Sequence, residues 1–358
     1  MSLLTIRITV TRQRRKITVT RQRRKWVELV AVNIGIDVGG TGIKGAAVGE
    51  DGTLSHRSER VTPAQDVDAI SGAIADLIRE IASAAEREGQ QVDAVGVACA
   101  GFIDSAGGTV LFAPNLAWRD APLKARLEAS VGRPIFLEND ANAAAWGEFR
   151  FGGAREADDM LLVTIGTGVG GGIVSDGELL RGSEGVAAEI GHLRVMPEGV
   201  RCGCGNRGCL ESYASGTALV REARELVSGG SPHAGALSDL CGGDPQSLTG
   251  QMVTQAATAG DPAATELFAD LGRWLGEGIA SMVAILDPEL IVIGGGVSEA
   301  GDLLLGPTEV AFARQLTGRG HRRQADIVLA VLGNDAGMIG AADLAARRAG
   351  ATGAPVGD

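Results

Sequence analysis

Aromatic residues are scarce: four Trp, seven Phe and one Tyr make up 3% of a 358-residue chain. So thin a supply provides no run of stacking platforms for nucleic-acid bases and leaves core filling to Ala, Val, Leu and Ile. Long apolar runs are missing too. None approaches the roughly 20 residues that span a bilayer, so a soluble protein with no membrane partner is expected. Cysteine is sparse, at five residues. Three of them, Cys202, Cys204 and Cys209, crowd into eight positions, which is the spacing of metal ligands rather than of a disulfide framework. There is no apolar signal segment followed by a cleavage site, so the expected compartment is the cytoplasm. A GxxxxGK[ST] phosphate loop is also absent.

Acidic residues are missing from the first 25 positions, where nine Lys/Arg stand. The rest of the chain holds 24 basic against 44 acidic residues, a charge of −20. Such a body repels DNA, RNA and anionic lipid and suits a neutral substrate. The basic stretch is a perfect tandem repeat, ITVTRQRRK at 8–16 and again at 17–25. A polyanion-binding arm, a transit-type leader and an upstream extension or local duplication all fit it. Organised fold signals begin only at Trp26.

Glycine, by contrast, is abundant, at 54 residues. Residues 27–48 read strand, glycine turn, strand, with a third strand near Leu54–Val61. A helix is expected over 66–88, started by Pro63 and Asp66 and closed by Gly89. A buried strand (VDAVGVACAG), a loop to Pro122, a helix at Leu123–Val131 and the strand PIFLEND complete a βββαβαβ order. The same opening recurs at 160–174, and Leu179 and Leu180 can begin a third strand. Helices are expected near 216–226 and 252–286, and the strand LIVIGGGVS ends on glycines. The stretch 228–250 reads as a surface loop. Two halves led alike indicate a duplicated α/β protein with a cleft.

Each half carries a glycine loop at a strand end. Asp37, Gly39, Gly40 and Thr41, followed by Lys44, form one candidate phosphate cradle, and Thr164, Gly166, Thr167 and Gly168 form the other. Asp37 is suited to hold a Mg²⁺-bound water. Gly294, Gly295 and Gly296 follow a third strand. Both loops match GxGxxG, yet a strand rather than a helix comes next, which argues against a dinucleotide site. Plain β-hairpin turns are the bland alternative.

Glu138, Asn139 and Asp140 close the strand PIFLEND, where open α/β sheets present ligand-binding groups. Asp140 can take the proton from an attacking alcohol while Asn139 grips a neighbouring hydroxyl. Equally, Asp140 can simply cap the helix that starts at Ala141. Farther on, His192, Cys202, Cys204 and Cys209 fill a tetrahedral Zn²⁺ shell. Four protein ligands leave no open position, so the zinc is expected to be structural. Glu189 and Glu211 flank the ligands, either as sugar-binding groups fixed by the metal or as solvated surface.

Taken in order, DVGGTGIKGAAV, LENDANAAAWGE, TIGTGVGGGIV, EIGHLRVMPEGVRCGCGNRGCLESYASG and IVIGGGVS resemble the ROK family of bacterial sugar kinases, most of all its actinobacterial glucokinases. The resemblance runs over about 32–346. It implies an actin/hexokinase-like fold with two RNase H-like domains closing on ATP and sugar. The domains implied are 27–139 plus 336–358, and 140–335 with the zinc loop, with 1–26 as a basic extension, disordered or extraneous to the fold. It implies ATP with Mg²⁺, structural Zn²⁺, and transfer to the 6-hydroxyl of glucose with Asp140 as general base. Gly101, Asn115, Asn139, Asp140, Glu189, His192 and Glu211 would hold the sugar. The two cradles would hold the phosphates, and Gly294, Gly295, Gly296 and the segment 334–338 would border the adenosine. Mannose, fructose, allose or an N-acetylhexosamine as acceptor, and polyphosphate as donor, are alternatives. A homodimer or homotetramer is implied. The family also contains sugar-responsive repressors, but these need a helix-turn-helix of roughly 60 residues, and only about 30 residues, β-like and basic in character, precede the first strand. Two departures stand out: Cys99-Ala100-Gly101 where the family usually has Pro before Gly, and Glu184 in the stretch after the second cradle.

Overall fold

Strand–glycine–strand segments organise both halves of the chain. The computed structural model describes residues 7–9, 18–20, 30–63, 66–113, 116 and 118–353, in two compact units, Met1–Val30 and Ala31–Asp358. In the first unit, β1 (Arg7–Thr9) pairs antiparallel with β2 (Thr18–Thr20), bringing Ile8 opposite Val19. These strands come from the starts of the two repeat copies, and the remainder of the 1–26 extension lies outside the described residues.

The second unit holds two five-stranded sheets. In the first, β3 (Val30–Val38) buries Val32, Ile34, Ile36 and Val38 at the alternating spacing of a strand. It turns through the first glycine loop into β4 (Gly42–Val48), which pairs antiparallel with β5 (Leu54–Val61). On the other side of β3 lies β6 (Gln90–Cys99), and β10 (Ile135–Asn139) pairs parallel with β6 at the edge. The second sheet repeats that order. β11 (Met160–Ile165) turns into β12 (Val169–Ser175) and then β13 (Glu178–Leu179), with β14 (Leu290–Gly294) and β15 (Asp326–Leu329) parallel on the far side.

α1 (Val67–Arg87) covers the first sheet with Ile70, Ile74, Leu77, Ile78 and Ile81, the face expected from their spacing. The Asp66 side chain caps it, accepting from the N–H groups of Asp68 and Ala69. Two further helices lie against the sheets. α3 (Asp140–Phe151) packs on β11 and β12, and α10 (Ala336–Gly353) packs on β4, β6 and β10, while the two helices pack on each other. Glycine lets them come close: a methyl on Gly340 would lie 1.8 Å from the Ala143 carbonyl oxygen, and one on Gly96 1.9 Å from that of Ala341.

Three sequence expectations need correction. The loop expected before Pro122 is a three-stranded antiparallel sheet, β7 (Phe102–Ile103), β8 (Val110–Ala113) and β9 (Trp118–Ala121), stabilised by buried Ile103, Val110 and Trp118 rather than by a long periodic run. The single helix expected over 252–286 is two, α7 (Gly250–Thr258) and α8 (Pro262–Leu286). Gly260 takes a φ of +84°, Asp261 accepts from Ala264 N–H at 2.8 Å, and Pro262 opens the next helix. The expected surface loop at 228–250 contains α6 (Gly235–Leu240) and buries Leu237, Cys241 and Leu248. Earlier in the chain, α2 (Leu123–Val131) forms where expected; after the metal block come α4 (Glu211–Ala214) and α5 (Gly216–Ser228), and α9 (Asp302–Gln315) precedes β15. Among the described residues no helix is long and apolar enough to cross a membrane.

Candidate active site

Register places the first cradle. The β3–β4 pairing sets Lys44 opposite Asp37, with Nζ 3.7 Å from Oδ2. Lys44 Nζ also donates to the Asn334 carbonyl at 3.5 Å, and Gly337 of α10 lies against the Asp37 carboxyl. The loop tip is held by Gly39 N–H on the Gly42 carbonyl (2.9 Å) and by Thr62 Oγ1 on the Gly39 carbonyl (2.7 Å). Gly40 and Thr41 remain exposed.

The second cradle is built the same way, with Gly166 N–H donating to the Gly168 carbonyl at 2.9 Å. The start of α5 backs it: Gly216 N–H donates to the Gly166 carbonyl (2.8 Å) and Thr217 Oγ1 to that of Thr167 (2.6 Å). Thr164, one residue before the end of β11, is only partly buried.

Beside this cradle opens a cavity of about 1680 Å³, lined by Gly166, Thr167, Thr217, Gln251, Thr254 and Gly296 among others. Gly294 and Gly295 are not in its lining, nor is the segment 334–338, which lies instead at Asp37 and Lys44. Thr217, Gln251 and Thr254 were not anticipated. Thr217 lies on the helix expected near 216–226, and Gln251 and Thr254 lie on α7, around the start of the stretch read as one long helix; only the assembled helices reveal the cavity.

Asp140 is the first residue of α3, and it is not the cap. Asn139 caps the helix, its Oδ1 accepting from Asn142 N–H at 3.0 Å while its Nδ2 donates to the Gly101 carbonyl at 3.1 Å. Asn139 therefore spends one acceptor and one donor on protein, and the capping role does not fall on Asp140. Burial, reinforced by the negative charge of Asp37, raises the Asp140 pKa from 3.8 to about 6. Burial likewise raises that of Asp37, against the lowering pull of Lys44. Glu189 is raised to about 7 by burial and then by the charges of Asp140 and Glu211. Beneath them the Cys99 thiol is pushed up by burial and by Asp140 and Asp37. Asp37, Asp140, Glu189 and Glu211 thus share one electrostatic neighbourhood, the signature of a functional cleft.

The metal block closes the other side. His192 ends a short 3₁₀ turn (Ile190–His192), and Cys202, Cys204 and Cys209 lie on a tight loop with Gly205 and Gly208 at positive φ. The four donor atoms lie within 4.8 Å of one another. Zn–S bonds of about 2.3 Å in a tetrahedron require S···S edges of about 3.8 Å; Cys204 and Cys209 are 3.7 Å apart, and Cys202 Sγ is 3.6 Å from His192 Nδ1. His192 Nε2 faces Glu189 Oε2 at 4.0 Å. Glu211 Oε1 lies 3.6 Å from Cys202 Sγ, and its Oε2 accepts from Val169 N–H at 3.2 Å. Both acids border the ligand set and remain partly exposed, and Glu184 is exposed. Asn115 lies outside the described residues.

Sequence comparison matches residues 33–348 to the ROK family model. The chain belongs to the ROK family. This ROK chain has the family's duplicated actin/hexokinase-like fold, one sheet in each half. It is 43% identical over 319 residues to a glucokinase from Streptomyces coelicolor, covering 88% of this chain and 98% of that one. It is 42% identical over 309 residues to a glucokinase from Halalkalibacterium halodurans, covering 86% and 92%. A crystal structure of a ROK family glucokinase from Streptomyces griseus in complex with glucose and AMPPNP superposes with a TM-score of 0.80 at 44% identity, covering 88% of this chain and 99% of that chain.

Proposed function

We propose that this ROK protein is a glucokinase, transferring the γ-phosphoryl group of ATP to the 6-hydroxyl of glucose. The observation that carries the reading is the Asp140 carboxyl, which does not serve as the helix cap and lies buried within electrostatic reach of Asp37 beside the first cradle and of Glu189. Near full-length similarity to glucokinases supports the same substrate.

Glu189, His192 and Glu211 offer acceptors and a ring nitrogen to sugar hydroxyls, with Asn139, the Gly101 turn and Asn115 completing the set. Ionised Asp140 accepts the proton of the attacking hydroxyl as the new P–O bond forms. The tips of the cradles, Gly40–Thr41 and Thr167–Gly168, would present backbone N–H groups to the phosphates, with the Gly39 and Gly166 N–H groups spent on closing the turns, and Lys44 adds a positive charge. Mg²⁺ bound with ATP would neutralise phosphate charge, and Asp37 is placed to hold one of its waters. The adenosine takes the 1680 Å³ cavity, and that room for a nucleoside favours ATP over polyphosphate. His192, Cys202, Cys204 and Cys209 suit Zn²⁺, which would cross-link the loop and leave no open position for water. Five free cysteines, three of them clustered, agree with a reducing cytoplasm. The two sheets support domains at 27–139 plus 336–358 and at 140–335, with α10 returning to the first sheet.

A coupled ADP-release assay over a hexose panel tests the reading. Glucose with ATP should give the highest kcat/KM; turnover confined to another hexose or to polyphosphate would reject it. The pH profile should fall on the acid side. Asp140 works as a base only when ionised, so kcat/KM declines as pH drops through about 6. Because Glu189 titrates near 7 beside it, the limb belongs to the pair. By linkage, both raised values mean that these acids favour the folded state below about pH 4 and oppose it as pH rises through about 6 and 7. A profile flat from pH 5 to 8 would contradict the assignment.

A further inference from the structure

Glu138, immediately before Asn139 and Asp140, is a carboxylate in the protein interior, its side chain only 7% exposed. An acid there needs partners, and it has four. Arg181 Nε donates to Oε2 at 2.7 Å, and Arg348 Nη2 lies 3.5 Å from the same oxygen. Asn142 Nδ2 (3.3 Å) and Asn139 N–H (3.2 Å) donate to Oε1. Arg348 also donates to the Leu137 carbonyl at 3.4 Å.

The partners come from three parts of the fold. Asn139 and Asn142 belong to the strand end and helix that carry Asp140. Arg348 belongs to α10. Arg181 opens the loop after β13, closed by Ala187 N–H on the Arg181 carbonyl at 3.0 Å, and that loop runs directly into Glu189. Midway, Gly185 at φ +86° presses so closely on β7 that a methyl there would lie 2.4 Å from the Ile103 carbonyl oxygen. β7 starts right after Gly101, whose carbonyl holds Asn139. One carboxylate therefore ties the strand bearing the base to the loop bearing the sugar-side acid.

We propose that Glu138 and Arg181, with Arg348 behind them, are positioning residues that set Asp140 and Glu189 relative to one another for phosphoryl transfer. Neither faces the substrate; they act through the residues next to them. This rests on Asp140 being the base. A plain stabilising role differs in outcome, because it would lower the melting temperature and leave kcat alone, whereas misplacing a reacting group by about 1 Å can cost on the order of 100-fold in rate.

The test uses the full-length protein and Glu138→Gln, Arg181→Met and Arg181→Lys, each read for kcat, KM for glucose and ATP, and melting temperature. Glu138→Gln and Arg181→Met should each lower kcat at least about 10-fold with KM for ATP nearly unchanged. Their combination should be no worse than the deeper single variant, since they break one unit. Arg181→Lys should restore part of the rate. Wild-type kcat in folded Arg181→Met overturns the proposal, whatever its melting temperature. If Glu138→Gln leaves its two arginines unpaired and fails to fold, the Arg181 variants decide; unfolding of Arg181→Lys as well would make the cluster a folding element and overturn it too. Asp140→Asn separates the underlying reading: turnover in that variant removes the base and this proposal together, while an inert Asp140→Asn beside a fully active Arg181→Met removes only the proposal.

Discussion

Asp140→Asn should abolish nearly all turnover while leaving glucose binding measurable. General-base catalysis contributes about 10²–10⁴-fold, and an amide cannot take the hydroxyl proton, so kcat should fall by at least that range. Asn preserves the shape of the side chain at the start of α3, and the helix keeps its cap because that role belongs to Asn139. Removing the carboxylate also relieves repulsion from Asp37 and Glu189, so the variant should fold at least as well as the parent. Steady-state kcat from ADP release and glucose affinity by calorimetry check the two halves of the statement. Loss of less than about 10-fold would be too little for a base and would reject the assignment.

Cys204→Ser should release the metal and weaken glucose binding. A serine hydroxyl is a poor substitute for a thiolate, and Cys204 is the exposed member of the four-donor set, so the substitution disturbs little packing. Structural zinc contributes on the order of 10 kcal/mol to small zinc domains, so the loop bearing Cys202, Cys204 and Cys209 should loosen when a ligand is lost. Glu211 borders Cys202, and Glu189 faces His192, so both acids lose their anchor. KM for glucose should rise at least about 10-fold, the cost typical of disturbing metal-site architecture. KM for ATP should change little, since the cavity beside α5 is lined by none of the ligands. Metal content by elemental analysis and the two KM values read the outcome. Zinc lost with unchanged glucose KM would show that the metal does not hold the sugar side.

Much of the architecture is legible in the sequence. The tight glycine turns announce two hairpins, and their recurrence announces two similar sheets. The CxCGxxGC spacing with an upstream histidine names a four-ligand site whose donors do converge. Other features are invisible there for definite reasons. Asp140 and Asn139 are neighbours, and both are good capping residues, so pattern reading leaves Asp140 as base or cap; backbone geometry assigns the cap to Asn139. The cavity beside α5 escapes recognition because its lining comes from separate elements, α5, α7 and the turn at Gly296, and the break at Gly260 and Pro262 reads as part of one long helix.

Features within a few residues were set by the sequence itself: turn positions, strand alternation, the cap at Asp66 and the clustering of the three cysteines all follow from local sterics and spacing. Tertiary structure alone decided which charges meet. Glu138 finds Arg181 and Arg348 across 43 and 210 residues of chain, and Asp140, at the start of α3, acquires its raised pKa from burial and from Asp37 in β3. Desolvation and Coulomb interaction depend on distance in space, and no periodicity along a chain encodes that distance.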